Sequence, residues 1–437
     1  MMANAHWFCR WPNAVCLCST PRTSDHSPLL LRGYAPCTSE HLFQFDNFLA
    51  TAPSFIDLVQ GIWRHDIHGK TMYAITRKLK ALKPVLRAKR KERGSFRQCH
   101  NEPRSNGSKA ARRVSLKVFQ ITNGQGTRLT VKHDVVAEFI SFFENLLGGH
   151  RQHRLLDINF LRPWARHVLT AEEADLLVEP IRYSEVKMAV FAIVEEKAPR
   201  PDGFSAGFYK AAWSIIGNDI TANVQEFLFT GKLLKQVNAT LLTLIPKVST
   251  PTSVTDYRPI SCCNVFYKII TKIIVQRMHG VMGKLVSPSQ NAFVPGRRIS
   301  YNILLAQELF SGYNRRNLPP RCALKECLST AAYSVSLNGE LHGFFKGARG
   351  LRQGDPMSPY LFVLAMEVLN LLLLQRVEQS EHFQFHWLCK DVYLLSLCFA
   401  DDLLLFCKVD EHSVILFRDG LQLFAEWSGL QANVSMS

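Results

Sequence analysis

LSLCFADDLLLFC, residues 395–407, is the stretch on which the fold turns. Two adjacent carboxylates, Asp401 and Asp402, stand between two strongly apolar runs. A polar pair flanked in this way suits a β-hairpin turn with both strands packed into a core. Neighbouring Asp residues in a half-buried place repel one another, and their burial is costly unless a cation neutralises them. A hard, oxygen-seeking ion such as Mg²⁺ is the natural partner. Taken alone, the pair also fits an exposed turn that caps a hairpin and binds nothing.

Upstream of the hairpin, GLRQGDPMSPYLFVLAMEVL (350–369) joins a tight Gly-rich turn to a long apolar helix. Ser358 and Pro359 are expected to open that helix as N-cap and first-turn proline. Its Leu-rich face must be buried in the core. Elsewhere, short apolar runs such as TLLTLIP (240–246) alternate with helical patterns, which implies a mixed α/β or α+β chain. VVAEFISFFENLL (135–147) places Val136, Phe139, Ile140, Phe143 and Leu147 on one face of an amphipathic helix. Thr170 with Glu173 has the spacing of a capping box. No internal repeat is visible.

With 437 residues, 47% of them hydrophobic, the chain can bury a core and hold more than one domain. Lys and Arg number 52 against 36 Asp and Glu, a formal charge of +16, which favours a polyanionic partner, nucleic acid first. Much of the excess lies in RKLKALKPVLRAKRKERGSFR (77–97), followed by the polar stretch NEPRSNGSKAARR (101–113). This pattern predicts a charged helix and then a linker. The helix reads either as a solvated face or as a phosphate-contacting segment that adds salt-sensitive affinity. An aromatic content of 11% and a charged content of 20% exclude global disorder and a collagen-like chain.

The longest apolar stretch, YLFVLAMEVLNLLLL (360–374), is interrupted by Glu367 and Asn370. Arg10, Trp11 and Pro12 occupy the place where a signal peptide needs its apolar region. No membrane partner is expected. Twelve cysteines spread from Cys9 to Cys407 are expected to be reduced thiols. Cys9, Cys16 and Cys18 with His6 match no common zinc spacing. These features point to an intracellular setting, nucleus or cytoplasm.

Six blocks in order resemble the reverse transcriptase domain of plant non-LTR (LINE-type) retrotransposons. They are EKAPRPDGFSAGFYKAAW (196–213), LLTLIPKVSTPTSVTDYRPISCCNVFYKIITKII (241–274), QNAFVPGRRISYNILLAQEL (290–309), the GLRQGDP block, FADD (399–402) and WSGLQANVSMS (427–437). The resemblance implies a right-hand polymerase with fingers and palm. FADD would be the palm hairpin, Asp401 the first choice as metal ligand and Asp402 the second, with Mg²⁺ as cofactor and Mn²⁺ as the alternative. In two-metal phosphoryl transfer, ions roughly 3.5–4 Å apart activate the attacking hydroxyl and stabilise the leaving group. Gln353 and Gly354 would bring a polar group and bare backbone close to template and nucleotide. Lys247 and Arg258 would lie near the triphosphate, where cations offset developing charge. The implied partners are an RNA template, a DNA primer and deoxynucleoside triphosphates.

One expected element is missing. The family has a further carboxylate in a strand resembling Lys-x-Asp-Leu-x-Lys-Ala-Tyr-Asp, between the NAFVPGR and GLRQGDP blocks. Here RCALK (321–325) runs directly into ECLSTAAYSVSLNGE (326–340), and no Asp occurs between Asp256 and Asp355. Glu326 is the nearest acid to the junction, but its neighbours resemble the segment before GLRQGDP. Arg200 stands where the family has Gly, and Met436 where it has Lys. Near the N-terminus, SDHSPLLL (24–31) resembles the closing motif of the family's endonuclease, with Asp25 and His26 as its catalytic residues.

The expectation is therefore an α+β chain with polymerase fingers and palm, an incomplete palm sheet surrounded by helices, and no thumb. Residues 1–75 would be an endonuclease remnant, 76–130 the basic helix and linker, and 131–437 the polymerase part, interrupted near 325–326 and cut short at its end. The expected function is RNA-directed DNA polymerase by ancestry, with catalysis impaired. The alternatives are a non-catalytic nucleic-acid-binding protein and an unstable translated relic.

Overall fold

The computed structural model describes residues 43–99, 118–148, 158–165, 168–194, 200–298, 300, 302, 326–327, 333–338, 340–346, 351–399, 402–428 and 431–432, with backbone strands at 15–18 and 29–32. Helices and strands interleave along these segments. This is the mixed architecture that the alternating sequence patterns predict.

Strands β1 (Val15–Cys18) and β2 (Leu29–Arg32) pair antiparallel. Helices α1 (Phe55–Trp63) and α2 (Thr71–Cys99) follow. The basic helix expected from the sequence is α2, and it continues through Pro84. Met72, Ile75, Leu79, Leu82 and Leu86 recur every three or four residues and are buried. Arg77, Lys80, Arg87, Arg90 and Lys91 are exposed on the other side. The short pair β3 (Ile121–Thr122) and β4 (Arg128–Leu129) precedes α3 (Lys132–Gly148). Val135, Phe139, Phe143 and Leu147 are the buried stripe of α3, while Val136 and Ile140 sit half-buried at its flank. Next comes α4 (Ala171–Val178), opened by the expected capping box between Thr170 and Glu173. Helices α5 (Tyr183–Phe191), α6 (Ala206–Ala211), α7 (Trp213–Thr230) and α8 (Lys235–Asn238) lead into the main sheet.

That sheet contains β5 (Thr240–Pro246) and β6 (Tyr257–Cys263), followed by α9 (Val265–His279) and α10 (Met282–Leu285). The two-residue strand β7 (Glu326–Cys327) stands apart from it, whereas β8 (Tyr333–Leu337) and β9 (Glu340–Phe345) complete it in the order β6-β5-β8-β9. β5 pairs antiparallel with β6 and parallel with β8, and β8 pairs antiparallel with β9. Helix α3 covers this sheet, its Phe139 and Phe143 packing with Leu242, Tyr257, Tyr333, Val335 and Phe345. A separate, mainly helical core joins α1 and α2 to α5, α6, α7 and α9 around Phe55, Phe204, Phe208 and Ile216. Each such fully buried side chain contributes about 1.5–3 kcal/mol relative to exposure.

The last part holds α11 (Ser358–Glu378), β10 (Ser396–Phe399), β11 (Asp402–Leu405), α12 (Glu411–Ser428) and β12 (Gln431–Ala432). By length and composition, α11 is apolar enough to cross a membrane. Its Met366, Leu369, Leu372 and Leu373 instead pack against β10, β11 and α12 in a third core. The proposed N-cap is corrected here. Ser358 is the first residue inside α11, Met357 is the N-cap, and the Asp355 carboxylate accepts the Met357 N–H at 3.2 Å. A carboxylate two residues before the cap reaches an unpaired N–H that the Ser hydroxyl does not take.

Candidate catalytic site

The acidic hairpin forms as the apolar flanks require. β10 and β11 pair antiparallel, with Leu397 opposite Leu404, Cys398 opposite Leu403 and Phe399 opposite Asp402. That register leaves residues 400 and 401 between the strands. Asp402 begins β11 on the backbone, and Asp401 lies outside the described residues. Leu403, Leu405 and Cys407 face α11 and α12, while Leu404 and Phe406 pack with Leu397 and Cys389 on the other side. Burial on both faces explains why these strands read as unbroken apolar runs. The thiols of Cys398 and Cys407 are buried in this region, and burial pushes the Cys398 thiol up to about 12.

The QNAF block holds the hairpin from beside β10. Gln290 bridges Cys398 in parallel, the Cys398 N–H donates to Ser289 O at 3.1 Å, and Asn302 Nδ2 donates to Cys398 O at 3.0 Å. Arg297 fixes the same block by donating to the carbonyls of Ser287, Gln290, Gly283 and Val286. At the junction where the expected carboxylate strand is missing, β7 pairs with β12, Glu326 opposite Ala432, and its backbone lies against β11.

The GLRQGDP turn sits on the edge of the main sheet. β6 is an edge strand, and the Ser261 N–H donates outward to Gln353 O at 2.8 Å. The turn thus satisfies a backbone group that an open edge would leave to solvent. Gly354 has φ +102°, and a Cβ there would lie 3.3 Å from Ser261 O. Glycine is the residue type that takes this conformation without strain. The side chain of Gln353 is exposed.

Arg352 and Asp355, on either side of this turn, are each 5% exposed. Arg352 lies with its guanidinium carbon 4.4 Å from the centre of the Tyr267 ring on α9, and its Nη2 donates to Asn238 O at 2.9 Å and to Asn238 Oδ1. The Tyr267 hydroxyl donates to Asp355 Oδ2 at 2.9 Å. Burial first, and then the adjacent Asp355 carboxylate, push the Tyr267 hydroxyl well above its ordinary value, so it stays a protonated donor. Sequence reasoning singled out Gln353 and Gly354 and passed over Arg352, Asp355 and Tyr267. The signal was present in the two opposite charges bracketing Gln-Gly within GLRQGDP.

Lys247 and Arg258 come together at one end of the β5–β6 pair. Arg258 is opposite Ile245 and exposed, and Lys247 follows β5 directly. Lys247 Nζ donates to Thr255 O at 2.7 Å, while Asp256 accepts the N–H groups of Thr252 and Ser253. Those backbone bonds hold the Asp256 carboxyl below the usual range. Arg258 lies three residues along β6 from Ser261, roughly 10 Å by strand rise, so it shares that strand with the Gln353 contact, while Lys247 stands across from it at the end of β5.

The PDGF block is anchored nearby. Buried Arg200 donates from Nη1 to Cys263 O at 3.2 Å, and the Asp202 N–H donates to Asn264 Oδ1 at 3.1 Å. This explains how Arg is accommodated where the family has Gly: its side chain ties the block to the end of β6. Burial is the main cause raising the Asp202 carboxyl to about 6, partly opposed by the Phe204 N–H, Lys83 and Arg200. Asp25 and His26 lie outside the described residues. Among the described residues no group of three His, Cys, Asp or Glu side chains could hold a metal ion.

The site thus joins an edge strand closed by a Gly-rich turn, an apolar core helix leaving that turn, and a hairpin packed on the same helix. Residues 245–435 match the family described as Reverse transcriptase (RNA-dependent DNA polymerase). The chain is 26% identical over 242 residues to the Transposon TX1 uncharacterized 149 kDa protein of Xenopus laevis, an alignment covering 48% of this chain and 18% of that protein. It is 24% identical over 334 residues to the Retrovirus-related Pol polyprotein from type-2 retrotransposable element R2DM of Drosophila melanogaster, covering 66% and 30%. It is also 42% identical over 66 residues to the uncharacterized mitochondrial protein AtMg01250 of Arabidopsis thaliana, covering 15% and 54%. Over residues 245–435 the chain is similar to the reverse transcriptase domains of non-LTR retrotransposon proteins. It spans less than a third of the two transposon relatives and about half of the Arabidopsis protein.

Proposed function

We propose that the chain descends from the RNA-directed DNA polymerase of a plant LINE-type element and retains its template- and nucleotide-facing surfaces while lacking the full carboxylate set for transfer. The observation that carries this reading is the β10–β11 hairpin with Asp402 at the head of β11, packed on the helix that leaves the GLRQGDP turn. In this reading β5, β6, β8 and β9 with their helices belong to the fingers, and α11 with the acidic hairpin to the palm. Lys247 and Arg258 face the triphosphate. Gln353 and Gly354 face the template and incoming nucleotide. The exposed cations of α2 contact phosphates of an RNA template or DNA primer. Residues 1–75, with Asp25 and His26, are a remnant of the endonuclease. The 66-residue likeness to an Arabidopsis protein supports the plant origin.

The donor chemistry of Asp401 and Asp402, two adjacent hard carboxylates, fits Mg²⁺ or Mn²⁺ in type. It falls short in number for a pair of ions, which needs carboxylates from both sides. A site with the full carboxylate set would hold divalent ions that would activate the attacking hydroxyl and neutralise charge on the leaving phosphates. What this chain supplies is orientation: a rigid turn at Gln353–Gly354, two cations at the β5–β6 end, and a hairpin fixed from both faces. Expected activity in primer extension with Mg²⁺ or Mn²⁺ is none, and extension that vanishes in Asp401→Ala would overturn the loss of catalysis. Binding of a primer–template at low salt supports the retained surfaces. Its absence would refute them.

A further inference from the structure

We infer that Tyr267, Asp355 and Arg352 are positioning residues that hold the Gln353–Gly354 turn in the orientation that meets nucleic acid, a proposal that rests on reading this turn as a template contact. The three side chains tie the turn to α9 and to the end of α8, while its backbone is tied to β6. On the strand, Gln353 O takes the Ser261 N–H at 2.8 Å. Beyond the strand, Tyr267 on α9 reaches back to Asp355 at 2.9 Å while its ring carries the Arg352 guanidinium at 4.4 Å. Asn238, at the end of α8, receives the Arg352 Nη2. The turn is thus tied to a strand, a long helix and a short one, while the Gln353 side chain stays exposed.

Energetics favour positioning over stability as the role of these groups. Arg352 and Asp355 are both buried, and among the described residues Arg352 Nε and Nη1 have no hydrogen-bond partner. Burying charge in this way returns little net stability compared with an apolar substitute. It does specify one arrangement, because each alternative leaves an ion uncompensated. Position matters to a surface that aligns a template, because a displaced contact group no longer meets its partner at hydrogen-bond distance.

The test is equilibrium binding of a fluorescent RNA–DNA primer–template to the full chain, read by anisotropy. Tyr267→Phe removes one oxygen and keeps the ring beneath Arg352. It is expected to weaken binding about 5- to 10-fold, the equivalent of one lost hydrogen bond, and to lower the urea midpoint because buried Asp355 loses a donor, while the variant stays folded without denaturant. Gln353→Ala is expected to weaken binding to a similar degree. The double variant should bind no worse than Gln353→Ala alone, because Tyr267 acts through the turn. Asp355→Asn, which preserves shape and an acceptor, should show the same coupling if Tyr267→Phe proves unstable. Additive losses, or full binding by Tyr267→Phe beside a weakened Gln353→Ala, overturn the positioning role alone. A silent Gln353→Ala removes the template reading of the turn and the inference with it.

Discussion

Replacing Gly354 with Ala tests the geometry on which the GLRQGDP turn depends. At φ +102° an L-residue is strained, at a cost of about 1–3 kcal/mol. The added Cβ would stand 3.3 Å from Ser261 O and 3.8 Å from Ile260 Cγ2. Ser261 O belongs to a strand paired with β5, so the turn is the partner free to yield. A shift of the turn weakens the Ser261–Gln353 hydrogen bond, worth about 0.5–1.5 kcal/mol net. Reduced entropy of the unfolded chain returns about 0.4–1 kcal/mol. The expected net loss is about 1–3 kcal/mol, measured by urea denaturation with an unchanged slope. Hydrogen exchange should report where the loss falls: the Ser261 amide exchanges faster while its neighbours on the β5 side stay protected. A variant within about 0.5 kcal/mol of the parent, with Ser261 still protected, would refute the description of this turn.

A second prediction concerns pH. Burial raises the Asp202 carboxyl from 3.8 to about 6, so between those values the folded chain keeps a proton that the unfolded chain releases. Its stabilising contribution is full below pH 3.8 and is lost as pH rises through about 6. Asp202→Asn should therefore gain stability relative to the parent as pH goes from 4 to 7, on the order of 2–3 kcal/mol. Urea midpoints across that range check the sign, and a variant that loses ground with rising pH would contradict it. A third prediction is steep salt dependence of nucleic-acid binding. If the exposed cations of α2 engage some 6–10 phosphates, affinity should fall by about 10³–10⁵ between 50 and 200 mM salt. Anisotropy titrations at several salt concentrations measure this, and salt-insensitive binding would remove α2 as a phosphate contact.

Local chemistry was legible in the sequence wherever neighbours in the chain are neighbours in space. The hairpin followed from two apolar runs broken by carboxylates, and the α4 capping box from Thr170 and Glu173. The charged helix α2 followed from its run of cations, whereas its buried side of Met72, Ile75, Leu79, Leu82 and Leu86 is seen in the structure. Phase was harder to read. The stripe of α3 centres on Val135 and Phe139, with Val136 and Ile140 at its edge, because Phe139 and Phe143 must meet Tyr257 and Tyr333. Ser358 looked like an N-cap because it precedes Pro359, yet Asp355 takes the adjoining N–H. Tyr267 and Asp355 are 88 residues apart, and no periodicity announces a contact made through tertiary packing. The β7 backbone beside β11 was equally hidden, since the sequence around Glu326 reads as part of the segment before GLRQGDP.

Primer extension tests the central claim most directly, because transfer depends on alignment and charge stabilisation by a complete ligand set. The full chain, Asp401→Ala and Glu326→Gln should be compared on a homopolymer primer–template with Mg²⁺ and then Mn²⁺. With one carboxylate pair and the family's Asp-bearing strand missing from the sequence, none of the three should extend primer above background. Extension by the parent chain that is abolished by both Asp401→Ala and Glu326→Gln would contradict the account, and would identify Glu326, carried beside β11 on β7, as the acid that replaces the missing one.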